Sequence, residues 1–330
     1  MRAVRYERFG PADVLRVVDL PEPTVRPDEV LVKVRAASVG AGEAAIRAGR
    51  LRRILRHRPP AGVGNDFAGR VEAVGAQTQR FREGDAVWGV MPHLTFGSTA
   101  EYVAVPERLL SLAPTTVGLV EAAALPSSGT TVLTALTQKV QLLAKQRLLV
   151  RGASGGVGSI AVQLGRALGA HVTALAGAHN LDWVRELGAD EVVDYRTDAV
   201  KNLAPFDVII DSVGTDPQSF RRLLSRDGKM LALAIDTANL LGTFVFIARG
   251  SIARSRKVVS FSNDPSTEQL EALARYVEKG AIRPLVDTVF PMDDIVEAHR
   301  RIEAGGVRGK YVIDVCPPSP GSAGSSAKAT

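Results

Sequence analysis

The segment LLVRGASGGVGSIAVQLGRALGAHV (residues 148–172) decides the fold of this chain. An apolar run ends at Gly152, and four glycines then fall within a short stretch before a pattern with helical spacing. The apolar helical positions are Val157, Ile160, Ala161, Leu164 and Leu168. This order predicts a strand, a tight turn and a helix. Because glycines let a backbone approach closely and a helix N-terminus stabilises an anion, we expect the turn to bind a phosphate.

Strands and helices alternate around this segment. The six predicted strands are RLLVRG (147–152), HVTALA (171–176), EVVDY (191–195), FDVIIDSVG (206–214), KMLALA (229–234) and KVVSFS (257–262). Helical stretches lie between the first five strands, whereas the last gap is less regular. Strands that are apolar almost throughout are buried on both faces, which indicates a parallel sheet. The pattern therefore predicts a doubly wound α/β domain.

The glycine turn departs from the strict GxGxxG pattern, since its glycines are Gly152, Gly155, Gly156 and Gly158. A structural turn is the alternative interpretation. The position of the turn in the first strand–helix connection of an alternating domain favours a dinucleotide site. The predicted contacts in the turn are Ser154, Gly155, Gly156, Val157 and Gly158.

The end of the second strand indicates which dinucleotide binds. An NAD site usually offers Asp or Glu there to the ribose 2′-hydroxyl, but ALAGAHN (174–180) contains no carboxylate. We therefore expect NADP(H), with its 2′-phosphate near His179, Asn180, Tyr195 and Arg196. The alternative for His179 is an ordinary surface loop histidine.

Outside this alternating segment, the N-terminal part of the chain is rich in predicted β-strands, and predicted strands occur again towards the C-terminus. Short alternating strands with glycine punctuation over residues 1–122 predict a β-rich domain. The strand–helix–strand pattern within 265–316 is expected to rejoin it, around a dinucleotide-binding domain at 123–264. Residues 317–330 are rich in Pro, Gly and Ser and are predicted to be disordered.

Composition narrows the possible functions. The single cysteine, Cys316, excludes an intramolecular disulfide and a cysteine-based zinc cluster. The longest uncharged apolar stretches are too short to span a membrane, and no signal-peptide core is present. We therefore expect a cytoplasmic protein without an integral membrane segment. The formal charge of +6 is concentrated in RAGRLRRILRHRPP (47–60), which suits either an acidic or membrane partner or a solvated face. Without interleaved aromatics this segment does not indicate nucleic acid binding.

Several motifs together resemble the medium-chain dehydrogenase/reductase superfamily, in its zinc-independent, quinone oxidoreductase-like branch. They are GVGNDFAGRVEAVGAQTQRFREGDAVWG (62–89), GSTAEYVAVP (97–106), AAALPSSGTTVLTAL (122–136), VRGASGGVG (150–158), LGADEVVDYR (187–196), DVIIDSVG (207–214) and GGVRGKYVIDV (305–315). The resemblance implies a GroES-like catalytic domain combined with a Rossmann domain, and an active site in the cleft between them.

The zinc branch of this superfamily binds its catalytic metal through a Cys near position 40 and a His-Glu pair. This chain has Gly40 in the first region and Asn65-Asp66 at the pair, and its five histidines lack metal-ligand spacing. The sequence therefore predicts no metal site. A simple ketone benefits from a Lewis acid, so a conjugated acceptor, either a quinone or an α,β-unsaturated carbonyl, is the expected substrate.

The resemblance also implies candidate site residues. The VNPxD-like stretch of zinc-free relatives reads VGAGEAAI (39–46) here, so Glu43 replaces an Asp and is a candidate proton donor or an N-terminal helix charge. Asp66 is expected to hold loop backbone, and Thr131 matches a position near the nicotinamide. Val213, Gly214 and Lys310 are expected near the cofactor, although Lys310 also suits a surface charge.

Two alternatives to a quinone or enone reductase remain open. One is an enoyl reductase of a biosynthetic pathway, whose acidic carrier protein the Arg-rich segment would dock. The other is a catalytically silent NADP-binding protein, since Gly40 replaces the usual Asn. The apolar segment 239–257 suits either a lid over a hydrophobic substrate or a homodimer interface, and we expect a homodimer.

Overall fold

The computed structural model describes residues 1–197, 200, 202–203 and 205–316. The predicted disordered tail, 317–330, lies outside the described residues. Within them the strands are β1 (Arg2–Tyr6), β2 (Arg16–Asp19), β3 (Glu29–Val39), β4 (Ala61–Gly62), β5 (Asp66–Val74), β6 (Ala86–Val90), β7 (Tyr102–Pro106), β8 (Leu110–Leu112), β9 (Arg147–Arg151), β10 (His171–Ala176), β11 (Glu191–Asp194), β12 (Phe206–Asp211), β13 (Leu224–Ala232), β14 (Lys257–Val259), β15 (Val286–Pro291) and β16 (Lys310–Asp314).

The α-helices carry most of the connections between these strands. They are α1 (Ala41–Arg47), α2 (Leu119–Ala122), α3 (Pro126–Leu133), α4 (Gly156–Ala167), α5 (Leu181–Glu186), α6 (Pro217–Arg221), α7 (Leu240–Ser251), α8 (Thr267–Glu278) and α9 (Ile295–Ala304). Helix α3 continues into a π-helical turn at Thr134–Lys139.

The six strands predicted around the glycine turn form one parallel sheet, in the order β11-β10-β9-β12-β13-β14. This is the 3-2-1-4-5-6 order of a doubly wound dinucleotide fold, so the predicted fold class is confirmed. Alternate residues of β9 enter different clusters of the core: Leu148 and Val150 pack on one face and Leu149 on the other. Burial on both faces explains why these strands are apolar almost throughout.

The segment between the fifth and sixth strands differs from the prediction. We expected an irregular stretch at 239–257, but residues Leu240–Ser251 form α7, capped by the Asn239 side chain, which accepts the Gly242 N–H at 3.0 Å. Its inner face packs on the parallel sheet through Phe246 and Ile247. Its outer face is also apolar, which removes the one-sided periodicity that identifies a surface helix.

The second large sheet is mostly antiparallel and combines both ends of the described chain. Its order is β15-β16-β3-β5-β6-β8, with β7 also paired to β3, and a smaller sheet has the order β2-β1-β4. Strand β16 pairs antiparallel with β3, so the strand–helix–strand segment that follows α8 returns to the β-rich part of the chain. The exact domain boundaries remain predictions.

One hydrophobic cluster joins the two large sheets. It includes Ala36, Ala68 and Val312 from the mixed sheet, and Leu148 and Val150 from the parallel sheet. This shared core holds the parallel sheet and the mixed sheet together. Among the described residues, no helix is both long and apolar enough to cross a membrane.

Candidate functional site

The glycine turn follows β9, the central strand of the parallel sheet. Helix α4 begins at Gly156, and Gly152 has a φ of +77°, a left-handed conformation that favours glycine. A Cβ on Gly158 would lie 2.1 Å from the Gly152 carbonyl oxygen, so the turn closes tightly on the helix. The first N–H groups of α4 have no intrahelical acceptor. This arrangement fits the pyrophosphate of a dinucleotide.

Lys310 connects this turn to the mixed sheet. A Cβ on Gly156 would lie 2.9 Å from Cε of Lys310, so the lysine stem covers the start of α4. Its ammonium lies 3.3 Å from Ser38 Oγ and 3.4 Å from Asp66 Oδ2. The candidate Lys310 is therefore not a surface charge: only 12% of its side chain is exposed.

Asp66 holds several segments together with its buried carboxylate. Oδ1 accepts the Ser127 N–H at 3.1 Å and also the Ser127 hydroxyl, at the start of α3. Oδ2 accepts the Ser38 hydroxyl of β3 at 3.0 Å. Together with Lys310 these donors connect β5 to β3, to β16 and to the N-terminus of α3. The sequence predicts that Asp66 holds loop backbone; the backbone group among these donors is the Ser127 N–H.

Glu43 lies near Asp66 and Lys310 in a different environment. Its carboxylate accepts the N–H groups of Gly40 at 3.2 Å and Gly64 at 2.9 Å. Burial raises the pKa of Glu43 to about 7, although these two hydrogen bonds and the charge of Lys310 act to lower it. Glu43 therefore holds a proton over part of the neutral range.

His299 of α9 faces Glu43 from the protein interior. Its Nε2 lies 3.8 Å from Glu43 Oε1, and both ring nitrogens lack a hydrogen-bond partner among the described residues. Burial, followed by the charge of Arg47, lowers the pKa of His299 to about 3. The imidazole is therefore neutral near pH 7 and gives the Glu43 carboxylate no stabilising cation.

Thr131 lies one turn after Ser127 on α3, and its side chain is half-buried. Because Asp66 holds the N-terminus of this helix, Thr131 is fixed relative to the cluster formed by Ser38, Asp66 and Lys310. No hydrogen bond of the Thr131 side chain occurs among the described residues. Its contact with a nicotinamide remains a prediction.

Val213 and Gly214 follow β12, next to the glycine turn. Asp211 Oδ1 accepts both of their N–H groups, at 2.9 and 3.0 Å, and Asp211 pairs with the buried Arg151 at 3.2 Å. A Cβ on Gly152 would lie 2.6 Å from Ser212 Oγ, so the two strand ends touch. The structure thus brings these residues to the edge where ligands bind in such sheets.

His179 and Asn180 form a short turn after β10, and Tyr195 follows β11 beside it. The Tyr195 ring lies 3.6 Å from the position a Cβ would take on Gly177, immediately before that turn. A residue missed in the sequence also lies here: Arg308 donates from Nε to Asn180 Oδ1 at 2.8 Å and from Nη2 to the His179 carbonyl at 2.7 Å. The sequence feature that could have identified Arg308 is its position two residues before the candidate Lys310.

The structure thus groups the predicted residues into three places. Ser154 to Gly158, Val213, Gly214 and Lys310 lie around the carboxyl ends of β9 and β12. Glu43 lies with Asp66 beyond Lys310, and His179, Asn180 and Tyr195 lie at the ends of β10 and β11. Sequence reasoning also missed Ser38, Ser127 and His299. In the part of the chain that the structure describes, no three or more His, Cys, Asp or Glu side chains are placed to hold a metal ion.

Comparisons with known proteins agree with this arrangement. Residues 26–115 match the alcohol dehydrogenase GroES-like domain family, and residues 187–313 match the zinc-binding dehydrogenase family. A chloroplast envelope quinone oxidoreductase homolog from Arabidopsis thaliana is 35% identical over 95% of this chain and 98% of its own length. The mitochondrial NAD(P)H oxidoreductase RTN4IP1 from Danio rerio is 31% identical over 96% of this chain and 91% of its own.

A solved structure shows the same fold. The quinone oxidoreductase from Coxiella burnetii superposes with a TM-score of 0.85 and 28% identity, covering 96% of this chain and 99% of that one. These matches span both sheets and the whole candidate site. The chain therefore belongs to the quinone oxidoreductase-like branch of the medium-chain dehydrogenase/reductase superfamily and is an oxidoreductase.

Proposed function

We propose that this protein is an NADPH-dependent reductase that transfers hydride to a quinone or an α,β-unsaturated carbonyl compound. The observation that carries the proposal is the position of Lys310. Its stem covers Gly156 at the glycine turn, and its ammonium contacts Ser38 and Asp66, next to Glu43. A phosphate-binding turn and a buried acid–base cluster are thus joined in one site.

The chain's own residues bind and orient the cofactor. The N-terminus of α4 and the backbone from Ser154 to Gly158 receive the pyrophosphate. Asp211 fixes Val213 and Gly214 through their N–H groups, so this backbone is pre-organised against the cofactor. When bound, NADPH supplies a hydride from C4 of its nicotinamide. Thr131 and Lys310 hold that end of the cofactor near Asp66.

Glu43 holds the proton that a reduced quinone or enolate must gain. Because burial raises its pKa to about 7, Glu43 is partly protonated at neutral pH and suits a general acid. Lys310 and Ser38 carry further exchangeable protons between Glu43 and the glycine turn. Conjugated acceptors spread the incoming charge, so positioning and exclusion of water supply much of the rate.

One exposed apolar side chain beside Gly214, that of Ile235, supports a hydrophobic substrate. Ala234 and Asp236 lie against Gly214, since a Cβ there would come within 3.1 Å of the Ala234 oxygen and 3.2 Å of the Asp236 nitrogen. Ile235, between them, is 40% exposed. An exposed apolar side chain at the ligand edge of the sheet suits a small conjugated ring or alkyl chain.

The test is turnover with purified protein. NADPH is mixed with a panel of quinones and enones, and the absorbance of the reduced nicotinamide is followed over time. Turnover with at least one class supports the proposal. Tight NADPH binding without turnover on any acceptor would favour the silent binding protein, and absence of binding to either nicotinamide nucleotide would contradict the nucleotide site itself.

One observation favours an enoyl reductase as the second candidate. Five arginines that follow α1 are exposed and have no ion-pair partner among the described residues; they are Arg50, Arg52, Arg53, Arg56 and Arg58. These arginines form a basic surface on the segment that follows α1, the helix that contains Glu43. Such a surface suits an acidic carrier protein. Turnover restricted to carrier-linked enoyl esters, lost when these arginines are replaced by glutamine, would favour this function.

The proposed assembly is a homodimer. On α7 the side chains of Leu241, Phe244 and Val245 are exposed by 78%, 43% and 45%, and Ile252 just after the helix by 84%. A contiguous apolar surface of this kind is typical of an interface. Light scattering after size exclusion measures the mass, and Leu241→Glu together with Ile252→Glu is expected to give monomers. A monomeric wild-type protein would contradict the proposal.

A further inference from the structure

Arg308 reaches the parallel sheet from a segment that belongs to the mixed sheet. It directly precedes the Gly309-Lys310 step into β16, yet its guanidinium contacts the turn after β10. Nε donates to Asn180 Oδ1 at 2.8 Å, and Nη2 donates to the His179 carbonyl at 2.7 Å. The guanidinium carbon also lies 6.0 Å from the centroid of the Trp183 ring. One arginine therefore bridges the two large sheets.

The backbone around Arg308 is fixed rather than free. The Gly309 N–H donates to the Ser154 carbonyl at 2.8 Å, and Gly309 forms a parallel bridge with Gly155. Gly309 has a φ of +85°, and a Cβ there would lie 2.2 Å from the Leu285 carbonyl oxygen. The Arg308 N–H donates to Asp287 Oδ2 at 2.8 Å. Arg308 and Lys310 are therefore anchored on either side of the glycine turn.

The turn that Arg308 contacts is where dinucleotide folds distinguish NAD from NADP. The group at the end of the second strand meets the adenosine ribose, and NAD sites place a carboxylate there. Residues 174–180 contain none. The nearby Asp182 is paired with Arg185 at 2.7 Å, which offsets its charge. Arg308 and Arg196 bring positive charge to this turn, and the Arg196 guanidinium lies 5.3 Å from the Tyr195 ring centroid. One carboxylate, Asp194 at the end of β11, lies beside them and accepts the Arg196 N–H at 3.0 Å.

We infer that Arg308 binds the 2′-phosphate of NADPH and sets the preference for NADPH over NADH. This inference rests on the proposed function. A guanidinium binds a phosphate through two parallel N–H donors, and its planar shape matches the phosphate oxygens. Arg308 adds to the candidates named from the sequence for this phosphate, and it comes from the segment before β16, more than a hundred residues from the β10 turn.

The test measures binding directly. Dissociation constants of NADPH, NADH and adenosine 2′,5′-bisphosphate are determined by calorimetry for wild type and Arg308→Gln. Loss of a charge-assisted phosphate contact is expected to weaken NADPH and the bisphosphate by about 10- to 100-fold and NADH by less than about 2-fold. Arg308→Lys keeps the positive charge but loses the paired N–H donors of the guanidinium. Its dissociation constants for NADPH and the bisphosphate are expected to lie between those of wild type and Arg308→Gln. Rising salt should weaken NADPH binding more than NADH binding in the wild type, and this difference should be smaller in Arg308→Gln.

Arg300→Gln is the matched control, because Arg300 is also exposed and contacts the carboxylate of Asp13 away from this turn. It is expected to leave all three constants unchanged. If Arg308→Gln weakens NADPH and NADH equally, or neither, Arg308 is only a structural bridge and the inference fails while the proposed reductase stands. A wild type that prefers NADH would contradict both the inference and the NADPH dependence of the proposed reductase, while the hydride transfer itself would remain to be judged by turnover. Wild type that binds neither nucleotide would overturn both.

Discussion

The glycine turn and the Glu43–Asp66 cluster are neighbours in space, but they are built in opposite ways. The turn is made of backbone from one continuous stretch, Gly152 to Gly158, and it presents backbone N–H groups at the start of α4. The cluster is made of side chains from separate segments, namely β3, α1, β5, α3 and α9. The turn therefore depends on the absence of side chains, whereas the cluster depends on their burial and mutual contacts.

Within the cluster, the two carboxylates show how environment divides function. Asp66 has donors from Ser38, Ser127 and Lys310. Glu43 has two backbone N–H donors and a neutral imidazole, and burial raises its pKa to about 7. Of the two acids, Asp66 is the one held by several side-chain donors, whereas burial favours the protonated form of Glu43.

The largest effect is expected from crowding the turn. In Gly158→Ala the new methyl group would meet the Gly152 oxygen at 2.1 Å, and this neighbour is backbone that cannot rotate away. We expect a loss of about 3 kcal/mol in the free energy of unfolding, measured in urea, and at least about a 100-fold loss of NADPH affinity.

Gly155→Ala is the matched control, because its nearest neighbour would lie at 3.6 Å, an ordinary contact distance. It should fold as stably as wild type, so any loss of NADPH affinity in this variant reports contact with the nucleotide. A Gly158→Ala protein with wild-type stability and affinity would show that the turn is not closed as described.

Removing the link between the two regions is expected to have a smaller effect on stability. Lys310→Met keeps the stem over Gly156 but leaves the Asp66 carboxylate without its cation. Since Asp66 keeps its hydroxyl and N–H donors, we expect a loss of about 2 kcal/mol, below the usual cost of breaking a buried pair. NADPH affinity is expected to fall about 10-fold, with Lys279→Met as the exposed control.

A double-mutant cycle sharpens this result. Asp66→Asn combined with Lys310→Met should be less destabilised than the sum of the single variants, since the pair is lost only once. Strict additivity would mean that the two residues do not interact.

The smallest change in structure, Glu43→Gln, tests the protonation of the cluster. The folded Glu43 binds a proton up to about pH 7 and the unfolded one only to its usual value of 4.5. Its contribution to stability is therefore present below pH 4.5 and lost as the pH rises through 7. Relative to wild type, the variant should gain about 3 kcal/mol between pH 4.5 and 8, measured by denaturation.

The kinetic counterpart concerns kcat. If Glu43 is the proton donor, wild-type kcat falls as the pH rises past 7, and the variant loses this transition together with about 100-fold in kcat. If Glu43→Gln keeps the fall of kcat above pH 7, a group other than Glu43 causes that transition.

The same contrast explains how far the sequence predicts this molecule. Strands β9 to β14 and the turn were predictable because their signals are local: apolar runs, glycines and one helical repeat. Segment 240–251 was not predicted as a helix, because Phe246 and Ile247 face the sheet while Leu241 and Phe244 face outward, so no one-sided pattern remains.

The cluster was only partly predictable. Glu43 and Lys310 were found through the motifs that resemble the family, but no local pattern brings His299 to Glu43 or Ser127 to Asp66. The first contact arises from the packing of α1 on α9 and the second from the packing of α3 on β5, and both link segments far apart in the chain. Arg308 was missed for the same reason.

The pairing of Gly309 with Gly155 has a consequence for synthesis of the protein. A ribosome must polymerise about 150 further residues after the glycine turn before the strand that carries Lys310 can reach it. The last strand of the parallel sheet, β14, ends at Val259, so all six of its strands are synthesised before β16. During synthesis the glycine turn is therefore present before Lys310 can cover it. We expect cofactor binding to be among the last steps of folding.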